Sequence, residues 1–299
     1  MSCKICTYIA IALDPIHVGA GGYRLGRVDN TIIREPGTNL PKIPGTSFSG
    51  AVRSYAAMRL NSLCAGTQGC GNDNCAVCYT FGSTPREGEQ DTKKSYQGTV
   101  RFSDGQLVLF PVHSMLGPVW ITTAEHLKET FGICDVALPN DETILTTLDT
   151  KSVGKHLSLS WLLLSTGEEK ISLTSQNLLW TALLKDIRER LVVISPKLFS
   201  QVVNTNLEVR TSVAINPATG AAEEKKLFTY EALPRTTVLM FQIIEYDYRH
   251  AFPLHKTNIS NPLDVVKTGL DYLGILGIGG MGTRGFGRLD IRGHIERSE

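Results

Sequence analysis

The stretch PKIPGTSFSGAVR, residues 41–53, marks where extended chain gives way to the first predicted helix. Its prolines and its Gly-Thr-Ser run precede apolar residues at helical spacing, so we expect a helix over residues 47–63 with Thr46 or Ser47 as N-cap. A helix N-terminus offers unpaired N–H groups and the positive end of the helix dipole, and both attract phosphate. The residues that would form such a phosphate site are Lys42, Gly45, Thr46, Ser47, Ser49 and Arg53. An ordinary capped helix also explains the stretch when it is taken alone.

The composition fits one large domain or two small ones. The chain has 299 residues, of which 42% are hydrophobic and 20% charged, and no linker divides it, so we expect a single domain over residues 1–299. The formal net charge is only +1, whereas a free-standing nucleic-acid-binding protein is usually much more basic. A nucleic-acid ligand would therefore require basic residues concentrated in a groove, or assembly with other subunits.

The apolar residues near the N-terminus form a predicted strand rather than a targeting segment. They cover residues 5–13 and are followed by Asp14 and Pro15, with no signal-peptide cleavage site and no run long enough to span a membrane. We therefore expect a cytoplasmic protein without membrane contact. Its cysteines are then expected to be reduced thiols or metal ligands rather than disulfides.

The other predicted elements indicate an α+β fold, because strands and helices are interleaved without strict βαβ units. We expect one hairpin over residues 98–112 that turns at Asp104 and Gly105, and another over residues 204–232. Further strands are predicted over 156–164 and 236–248, further helices over 122–132, 175–191 and 262–276, and loops over 17–35 and 84–97.

Two glycine-rich segments contain candidate functional residues. The first, GIGGMGTRGFG at residues 277–287, has six glycines in eleven positions, and such a loop brings backbone N–H groups close to an anion. Its candidate phosphate-binding residues are Gly279, Gly280, Gly282, Arg284 and Gly285. A flexible turn is the alternative interpretation.

The second segment, HVGAGGYRLGRVDN at residues 17–30, contains His17 and Asp29, with Arg24 and Arg27 between them. Taken alone, Asp29 is explained as a turn residue and His17 as a surface residue.

Five spaced blocks of the chain together resemble the RAMP superfamily of CRISPR proteins. More narrowly, they resemble the type III backbone subunit that lies along guide RNA and cuts target RNA. The blocks are most similar to those of the type III-B subunit, and the type III-A and III-D equivalents are near neighbours. The blocks are IHVGAGG, GRVDNTIIRE, PKIPGTSFSGAVR, the segment from EVRTSVAI to YEALP, and GIGGMGTRGFGRLDI.

The resemblance implies an RRM-like (ferredoxin-like) palm with a projecting β-hairpin thumb at residues 204–232. Further copies of the chain would pack side by side with other effector subunits, and guide RNA would run along the palms. The helix start and the glycine-rich loop would hold guide phosphates, with Arg210 of the thumb as a further RNA contact. The thumb would interrupt the duplex between guide and single-stranded target RNA.

The resemblance also implies that Asp29 is the residue required for cleavage, with His17 as a weaker catalytic candidate. RNA carries its own nucleophile, the 2′-OH, and a carboxylate can accept its proton or hold a divalent cation. A single aspartate indicates loosely held Mg²⁺ with several water ligands. Two alternatives are a structural subunit whose Asp29 is idle and a stand-alone RNA-processing ribonuclease of the same superfamily.

A cysteine-rich insert interrupts the family pattern at residues 64–98. The spacing of Cys64, Cys70, Cys75 and Cys78 is typical of a structural zinc site with four thiolate ligands. The insert is rich in glycine and asparagine and has almost no apolar core, so it needs a cross-link of some kind. Disulfides and a redox Cys-x-x-Cys pair are the alternatives.

Overall fold

A computed structural model describes residues 3–21, 28–62, 64, 74–83, 95–149, 153–167, 170–253 and 259–298. Helices and strands alternate along these residues in a mixed α/β arrangement, which agrees with the expected fold class. No helix in these ranges has the length and apolar character needed to cross a membrane.

The helices of the described residues are mostly short. They are α1 (Gly45–Arg59), α2 (Ala76–Phe81), α3 (Ala124–Phe131), α4 (Leu178–Thr181), α5 (Lys185–Arg188), α6 (Pro196–Thr205), α7 (Pro262–Leu270) and α8 (Leu273–Leu276).

The strands of the described residues belong to one large sheet and two small ones. They are β1 (Lys4–Ala12), β2 (Gly82–Ser83), β3 (Tyr96–Gln97), β4 (Val100–Phe102), β5 (Gln106–Ser114), β6 (Gly117–Thr122), β7 (Thr143–Thr146), β8 (His156–Leu159), β9 (Leu162–Thr166), β10 (Leu191–Val193), β11 (Glu208–Ile215), β12 (Ala222–Ala232), β13 (Val238–Glu245) and β14 (Leu289–Ser298).

The centre of the large sheet has the strand order β14-β1-β13-β5, with every neighbouring pair antiparallel. Helix α1 connects β1 to β5, and β13 lies between these two parallel strands. Helix α7 connects β13 to β14, and β1 lies between them. Two such split βαβ units form the ferredoxin-like arrangement. A long insertion between β5 and β13 extends the sheet in the order β6-β10-β7-β9-β8.

The core lies on both faces of this sheet because its strands are covered on both sides. One cluster packs α1 and α7 against the sheet through Phe48, Val52 and Phe241. On the other face Leu127 of α3 and Trp180 of α4 belong to the second cluster. A third, smaller cluster joins α2 and Cys64 to the outer sides of α1 and α7.

Strands β11 and β12 form a separate two-stranded hairpin within the predicted range of 204–232, whereas residues 204 and 205 of that range belong to α6. The outer part of the hairpin exposes Val213, Ile215 and Leu227. The turn has Gly220 at φ +65°, which a glycine adopts without strain.

The hairpin predicted over residues 98–112 is wrong, because β4 and β5 do not pair with each other. Both pair with β13, β4 at Ile243–Glu245 and β5 at Val238–Met240. The Asp104-Gly105 corner joins β4 to β5, and these two strands pair one after the other with the same side of β13. Gly105 there exchanges two backbone hydrogen bonds with Ile43, of 2.7 and 3.1 Å, while the Asp104 carboxylate turns toward α1.

Two further sequence predictions are corrected. Residues 156–164 form the hairpin β8–β9, which turns at Ser160 with φ +60°. Residues 175–191 form the one-turn helices α4 and α5, because extended backbone at Leu184 ends the helical path. The break brings Leu183 and Ile187 into the core beside Trp180.

Helix α1 begins at Gly45 with Pro44 as N-cap, rather than after Thr46 or Ser47, and no local side chain caps it. The helix predicted over residues 262–276 is divided into α7 and α8. The loop predicted at 84–97 lies largely outside the described residues.

Candidate functional site

The loop after β1 runs beside the base of the β11–β12 hairpin. Asn30 forms a bridge with Tyr230 of β12, and the neighbouring Asp29 contacts Thr229. The Asp29 backbone N–H donates to the Thr229 hydroxyl at 2.9 Å. In return, the Thr229 N–H and hydroxyl both donate to Asp29 Oδ2, each at 2.8 Å. These contacts fix the direction of an exposed carboxylate.

The electrostatic setting of Asp29 keeps it ionised. The N–H of Thr229, followed by its hydroxyl, holds the pKa of this carboxyl below its usual value. Because both hydrogen bonds end on Oδ2, Thr229 leaves Oδ1 without a bond.

His17 is buried beneath the same hairpin and is only 6% exposed. Its Nδ1 lies 2.7 Å from the Glu231 carbonyl oxygen, an acceptor, so Nδ1 carries the proton. The imidazole edge packs against the Tyr230 ring with the centroids 5.9 Å apart. These contacts favour a positioning role for His17 over direct contact with a ligand.

The glycine-rich loop packs directly onto this histidine. The Gly280 N–H donates to the His17 carbonyl oxygen at 2.9 Å. Gly279 has φ +86°, and a Cβ there would lie 2.4 Å from the same oxygen, so this close approach requires glycine. Arg284, which is exposed, donates to the Tyr230 hydroxyl at 3.0 Å.

The hairpin contributes Arg210 to the same region. It lies directly opposite Tyr230 in the β11–β12 register. Its guanidinium is 4.7 Å from the centroid of the Phe286 ring and is paired with Glu208. The structure thus brings together candidates from distant blocks, which we call the loop–hairpin cluster: His17, Asp29, Arg210, Thr229, Tyr230 and Arg284.

A groove of about 350 Å³ separates the first half of α1 from the glycine-rich loop. We call it the helix–loop groove. Ser47 and Ser54 line one side, and Gly279 and Gly282 line the other. Tyr55 closes one end by donating its hydroxyl to the Gly277 carbonyl oxygen at 2.6 Å. The two predicted phosphate-binding segments therefore face each other.

Not all of the predicted phosphate-binding residues face this groove. Lys42 Nζ lies 2.6 Å from Asp104 Oδ2 and 2.7 Å from Glu35 Oε2, and these carboxylates raise the pKa of the lysine. The Gly45 N–H donates to Asp104 Oδ1 at 2.8 Å, and a Cβ on Gly45 would lie 2.4 Å from the Phe102 carbonyl oxygen. Lys42 and Gly45 thus hold the start of α1 in place.

The remaining candidates on α1 have different surroundings. Thr46 is exposed and Ser49 is half-buried, and neither lines the helix–loop groove. Arg53 donates from Nε to the Cys64 carbonyl oxygen at 3.1 Å, so it contacts the cysteine insert. Gly285 is exposed beyond the groove with φ +79°.

Three of the four predicted metal ligands form a thiol cluster. The Sγ atoms of Cys64, Cys75 and Cys78 all lie within 4.8 Å of one another, and Cys70 is outside the described residues. The Cys64–Cys75 sulfur separation of 3.4 Å is far longer than a disulfide bond of about 2.05 Å. Hydrogen bonds from Cys78, Ser62 and Cys64 lower the pKa of Cys75 to about 4.

The thiol cluster could hold a metal ion. A tetrahedral site with metal–sulfur bonds of about 2.3 Å places its sulfurs about 3.8 Å apart. That value lies between the 3.4 Å of the Cys64–Cys75 pair and the 4.8 Å within which all three sulfurs lie. Within the described ranges it is the one group of His, Cys, Asp and Glu side chains with such geometry.

Sequence reasoning missed the residues that hold the candidates in place. The residues that it missed include Thr229, Tyr230 and Glu231. Glu231 is buried and accepts hydrogen bonds from Arg34 Nη2 at 2.6 Å and from the Ile32 N–H at 3.1 Å. A charged residue in the strand segment LFTYEA was the available signal, since a buried carboxylate needs a partner.

Comparisons with known proteins agree with the five-block resemblance. The family model described as the RAMP superfamily matches residues 10–290. The CRISPR system Cmr endoribonuclease Cmr4 of Pyrococcus furiosus is 24% identical over 254 residues, which cover 78% of each chain. The CRISPR system Cms endoribonuclease Csm3 of Methanothermobacter thermautotrophicus is 36% identical over 81 residues, 27% of this chain and 30% of that relative.

Solved structures share the fold. A chain of the type III-B Cmr-beta complex bound to cognate target RNA has a TM-score of 0.65 at 15% identity, with 96% of both chains covered. Oligomeric Cmr4 from Pyrococcus furiosus has a TM-score of 0.61 at 18% identity, with 100% of this chain and 99% of that chain covered. Because the family model matches all but the two ends of the sequence, the chain belongs to the RAMP superfamily.

Proposed function

We propose that the chain is a backbone subunit of a type III CRISPR ribonucleoprotein that binds guide RNA and cleaves complementary target RNA. The observation that carries this proposal is the exposed Asp29 carboxylate, oriented by Thr229 at the hairpin base and joined to the glycine-rich loop through the loop–hairpin cluster. Two relatives with similar sequences are named CRISPR endoribonucleases. The backbone assignment is closest to type III-B.

Guide RNA binding is assigned to the helix–loop groove. Hydroxyls of Ser47 and Ser54 on one side face the glycine-rich backbone on the other, and this combination suits a phosphate. Arg284, at the exposed edge of the loop, supplies charge. Contacts with neighbouring phosphates are proposed for Thr46, Ser49 and Gly285. The other three candidates hold α1 in place: Lys42 and Gly45 through Asp104, and Arg53 through the Cys64 carbonyl oxygen.

Target cleavage is assigned to Asp29. The attacking group would be a ribose 2′-OH of the target, and the ionised carboxylate would accept its proton through the free oxygen. Mg²⁺ or another divalent cation would supply charge stabilisation for the phosphate when bound beside Asp29. His17 would keep the glycine-rich loop in register with the hairpin.

The fold and the hairpin suggest how copies assemble. The ferredoxin-like core would be the RRM-like palm, and residues 204–232 would be the thumb that interrupts the guide–target duplex. Exposed apolar residues near its end, Val213, Ile215 and Leu227, suit insertion between bases or against a neighbouring subunit. Other copies and other effector subunits are therefore the proposed partners, in the cytoplasm.

A structural zinc ion is proposed for the insert. Cys64, Cys75 and Cys78, with Cys70 as the fourth ligand, would hold it without an open coordination position. The ion would supply a cross-link to residues 64–98, which have few apolar side chains.

Two alternatives use the same residues differently. In a purely structural subunit, Asp29 would only anchor the loop to Thr229. In a stand-alone processing ribonuclease, the chain would cleave precursor RNA without assembling into a filament.

Sequencing of RNA that co-purifies with the chain in its assembled state tests the proposal. We expect guide RNAs that share one repeat-derived end, and we expect several copies of the chain on each RNA. Absence of RNA, or precursor RNA on a monomer, would contradict the backbone assignment.

A further inference from the structure

A second pocket with an aromatic lining lies at the other end of β13 from the loop–hairpin cluster. Its volume is about 290 Å³, and its walls are formed by Gln97, Gly98, Thr99, Arg101, Tyr246 and Tyr248. We call it the tyrosine pocket. An eight-residue strand such as β13 spans about 25 Å. The tyrosine pocket shares no residue with the helix–loop groove and is a separate site.

The two tyrosines form an open stacking surface. Their ring centroids are 6.2 Å apart with an interplanar angle of 28°. Tyr248 is 40% exposed, so a face of this pair is available to a flat ligand.

The surface is held in one conformation before any ligand arrives. The Tyr248 hydroxyl donates to the Gln97 carbonyl oxygen at 3.0 Å, and the Tyr246 N–H donates to the Thr99 carbonyl oxygen at 2.8 Å. Between the tyrosines, Asp247 Oδ1 accepts from the Arg249 and His250 N–H groups at 3.2 and 3.1 Å, and also from the Tyr79 hydroxyl of α2. A preorganised site loses less entropy on binding.

The charge of the pocket is positive. Arg101 is exposed on β4, and its guanidinium makes no ion pair or hydrogen bond with the described part of the chain. No carboxylate belongs to the lining. Stacking aromatic rings beside an exposed arginine are the features that bind single-stranded nucleic acid without base-specific hydrogen bonds.

We propose that the tyrosine pocket binds an unpaired nucleobase of single-stranded RNA, which stacks on Tyr248 while Arg101 contacts the adjoining phosphate. This inference rests on the proposed RNA-binding function and adds a second contact remote from Asp29. A proline-rich peptide, the other ligand class that uses tyrosine-lined grooves, would gain nothing from the exposed arginine.

The test uses the full chain with single-stranded RNA that contains 4-thiouridine. Photo-crosslinks are mapped to peptides, and affinity is measured by fluorescence anisotropy over a salt series. The variants are Tyr248→Ala, Tyr248→Phe and Arg101→Gln. The control is Trp161→Ala, because Trp161 is an exposed aromatic residue, 66% accessible, in the β8–β9 turn.

We expect a crosslink within residues 95–101 or 246–249. Tyr248→Ala should abolish it and weaken binding about tenfold, whereas Tyr248→Phe keeps the ring but loses the hydroxyl bond to Gln97, so it should keep the crosslink and bind more tightly than Tyr248→Ala. Arg101→Gln should reduce the slope of affinity against salt by about one unit. Trp161→Ala should change neither quantity.

Crosslinks at residues 277–287 without any near Tyr248, together with unchanged affinity of Tyr248→Ala and Arg101→Gln, would overturn the pocket assignment and leave the proposed function intact. Absence of RNA from both places would overturn both. Binding of a proline-rich peptide with no RNA crosslink at the pocket would also overturn it.

Discussion

At the scale of single residues, the central contact is the one between Asp29 and Thr229. Both hydrogen-bond donors of Thr229 end on one carboxylate oxygen, so they hold the carboxylate of the exposed Asp29 in one orientation and leave its other oxygen without a bond to Thr229. The same contacts lower the pKa of Asp29, and the carboxylate is therefore a base rather than an acid at neutral pH.

Thr229→Val removes the hydroxyl and keeps the backbone N–H bond. We expect target cleavage by the assembled complex to fall about tenfold, because the hydroxyl bond to the carboxylate is lost together with the acceptor of the Asp29 N–H. Guide binding should not change. The matched control is Thr211→Val, since Thr211 lies directly opposite Thr229 in the hairpin register. Single-turnover cleavage assays compare the two, and equal rates for them would contradict the positioning role of Thr229.

The sequence identifies Asp29 through the resemblance but gives no sign of Thr229. The two residues are 200 positions apart, and the segment that carries Asp29 is irregular, so no strand periodicity predicts its neighbour. Lys42 illustrates the converse: it stands beside a predicted phosphate site, yet it is bound by Asp104 from the corner between β4 and β5 as well as by the nearby Glu35. Tertiary ion pairs of this kind leave no local pattern.

At the scale of elements, the start of α1 depends on a residue outside the helix. Asp104, at the corner between β4 and β5, accepts the Gly45 N–H and binds Lys42. Lys42, followed by the Gly45 N–H, lowers the pKa of Asp104. A carboxyl with a lowered folded-state pKa stabilises the fold above its unfolded pKa of about 4 and loses that effect as the pH falls through the folded value.

Asp104→Ala should therefore lower the free energy of unfolding at pH 7 by about 1 kcal/mol, the typical value of a helix cap. The difference from the wild type should shrink as the pH falls below about 4. Urea denaturation at a series of pH values measures both effects. The control is Asp186→Ala, an exposed position on α5, which should stay within about 0.5 kcal/mol of the wild type. A difference that persists in acid would contradict the ionic cap.

The glycine-rich loop depends on close approach to the chain after β1. Gly279→Ala would place a Cβ against the His17 carbonyl oxygen in a backbone conformation that alanine avoids. We expect a loss of more than about 1 kcal/mol of stability and weaker retention of guide RNA. Gly37→Ala is the matched control, because no atom lies within 4 Å of its added Cβ. If both variants melt and bind alike, the loop does not need this contact.

The cysteine insert should hold one zinc ion per chain. Cys75→Ser should lower the metal content, and chelation should expose amides of residues 64–83 to hydrogen exchange while those of β1 and β13 stay protected. Strands β1 and β13 belong to the main core, so they do not depend on the insert. Cys134→Ser is the control, because Cys134 is an exposed cysteine outside the cluster. Elemental analysis that finds no metal in protein purified without chelator would contradict this.

A helix or strand was predictable from the sequence where its local residue pattern is typical of the element that forms in the fold. The β11–β12 hairpin follows from two extended segments around a polar turn, and the strand β13 follows from a run of apolar and β-branched residues. The hairpin predicted around Asp104 and Gly105 was wrong because this dipeptide occurs both in two-residue hairpin turns and at a bend between two strands on one side of a sheet. The prediction of one helix over residues 175–191 was wrong because two short helices also bring its apolar residues into the core.

At the scale of the whole molecule, the ferredoxin-like order arises from two split βαβ units separated by a long insertion. The sequence supports an α+β class, but the order β14-β1-β13-β5 depends on strands more than 100 residues apart, which periodicity does not relate. The five blocks of the resemblance supplied that information. The architecture brings the first, second, fourth and fifth blocks together at the loop–hairpin cluster.

The most direct test of the account is cleavage by an assembled complex that carries Asp29→Asn. This substitution keeps the shape of the side chain and removes its charge. The wild-type complex should cut target RNA at regular positions only with a divalent cation, and EDTA should stop it. The Asp29→Asn complex should hold guide and target normally and cut at least about 100-fold more slowly. Asp135→Asn, at an exposed loop carboxylate, should cut like the wild type. Unchanged cutting by Asp29→Asn at the same positions would contradict the assignment of Asp29 as the catalytic residue.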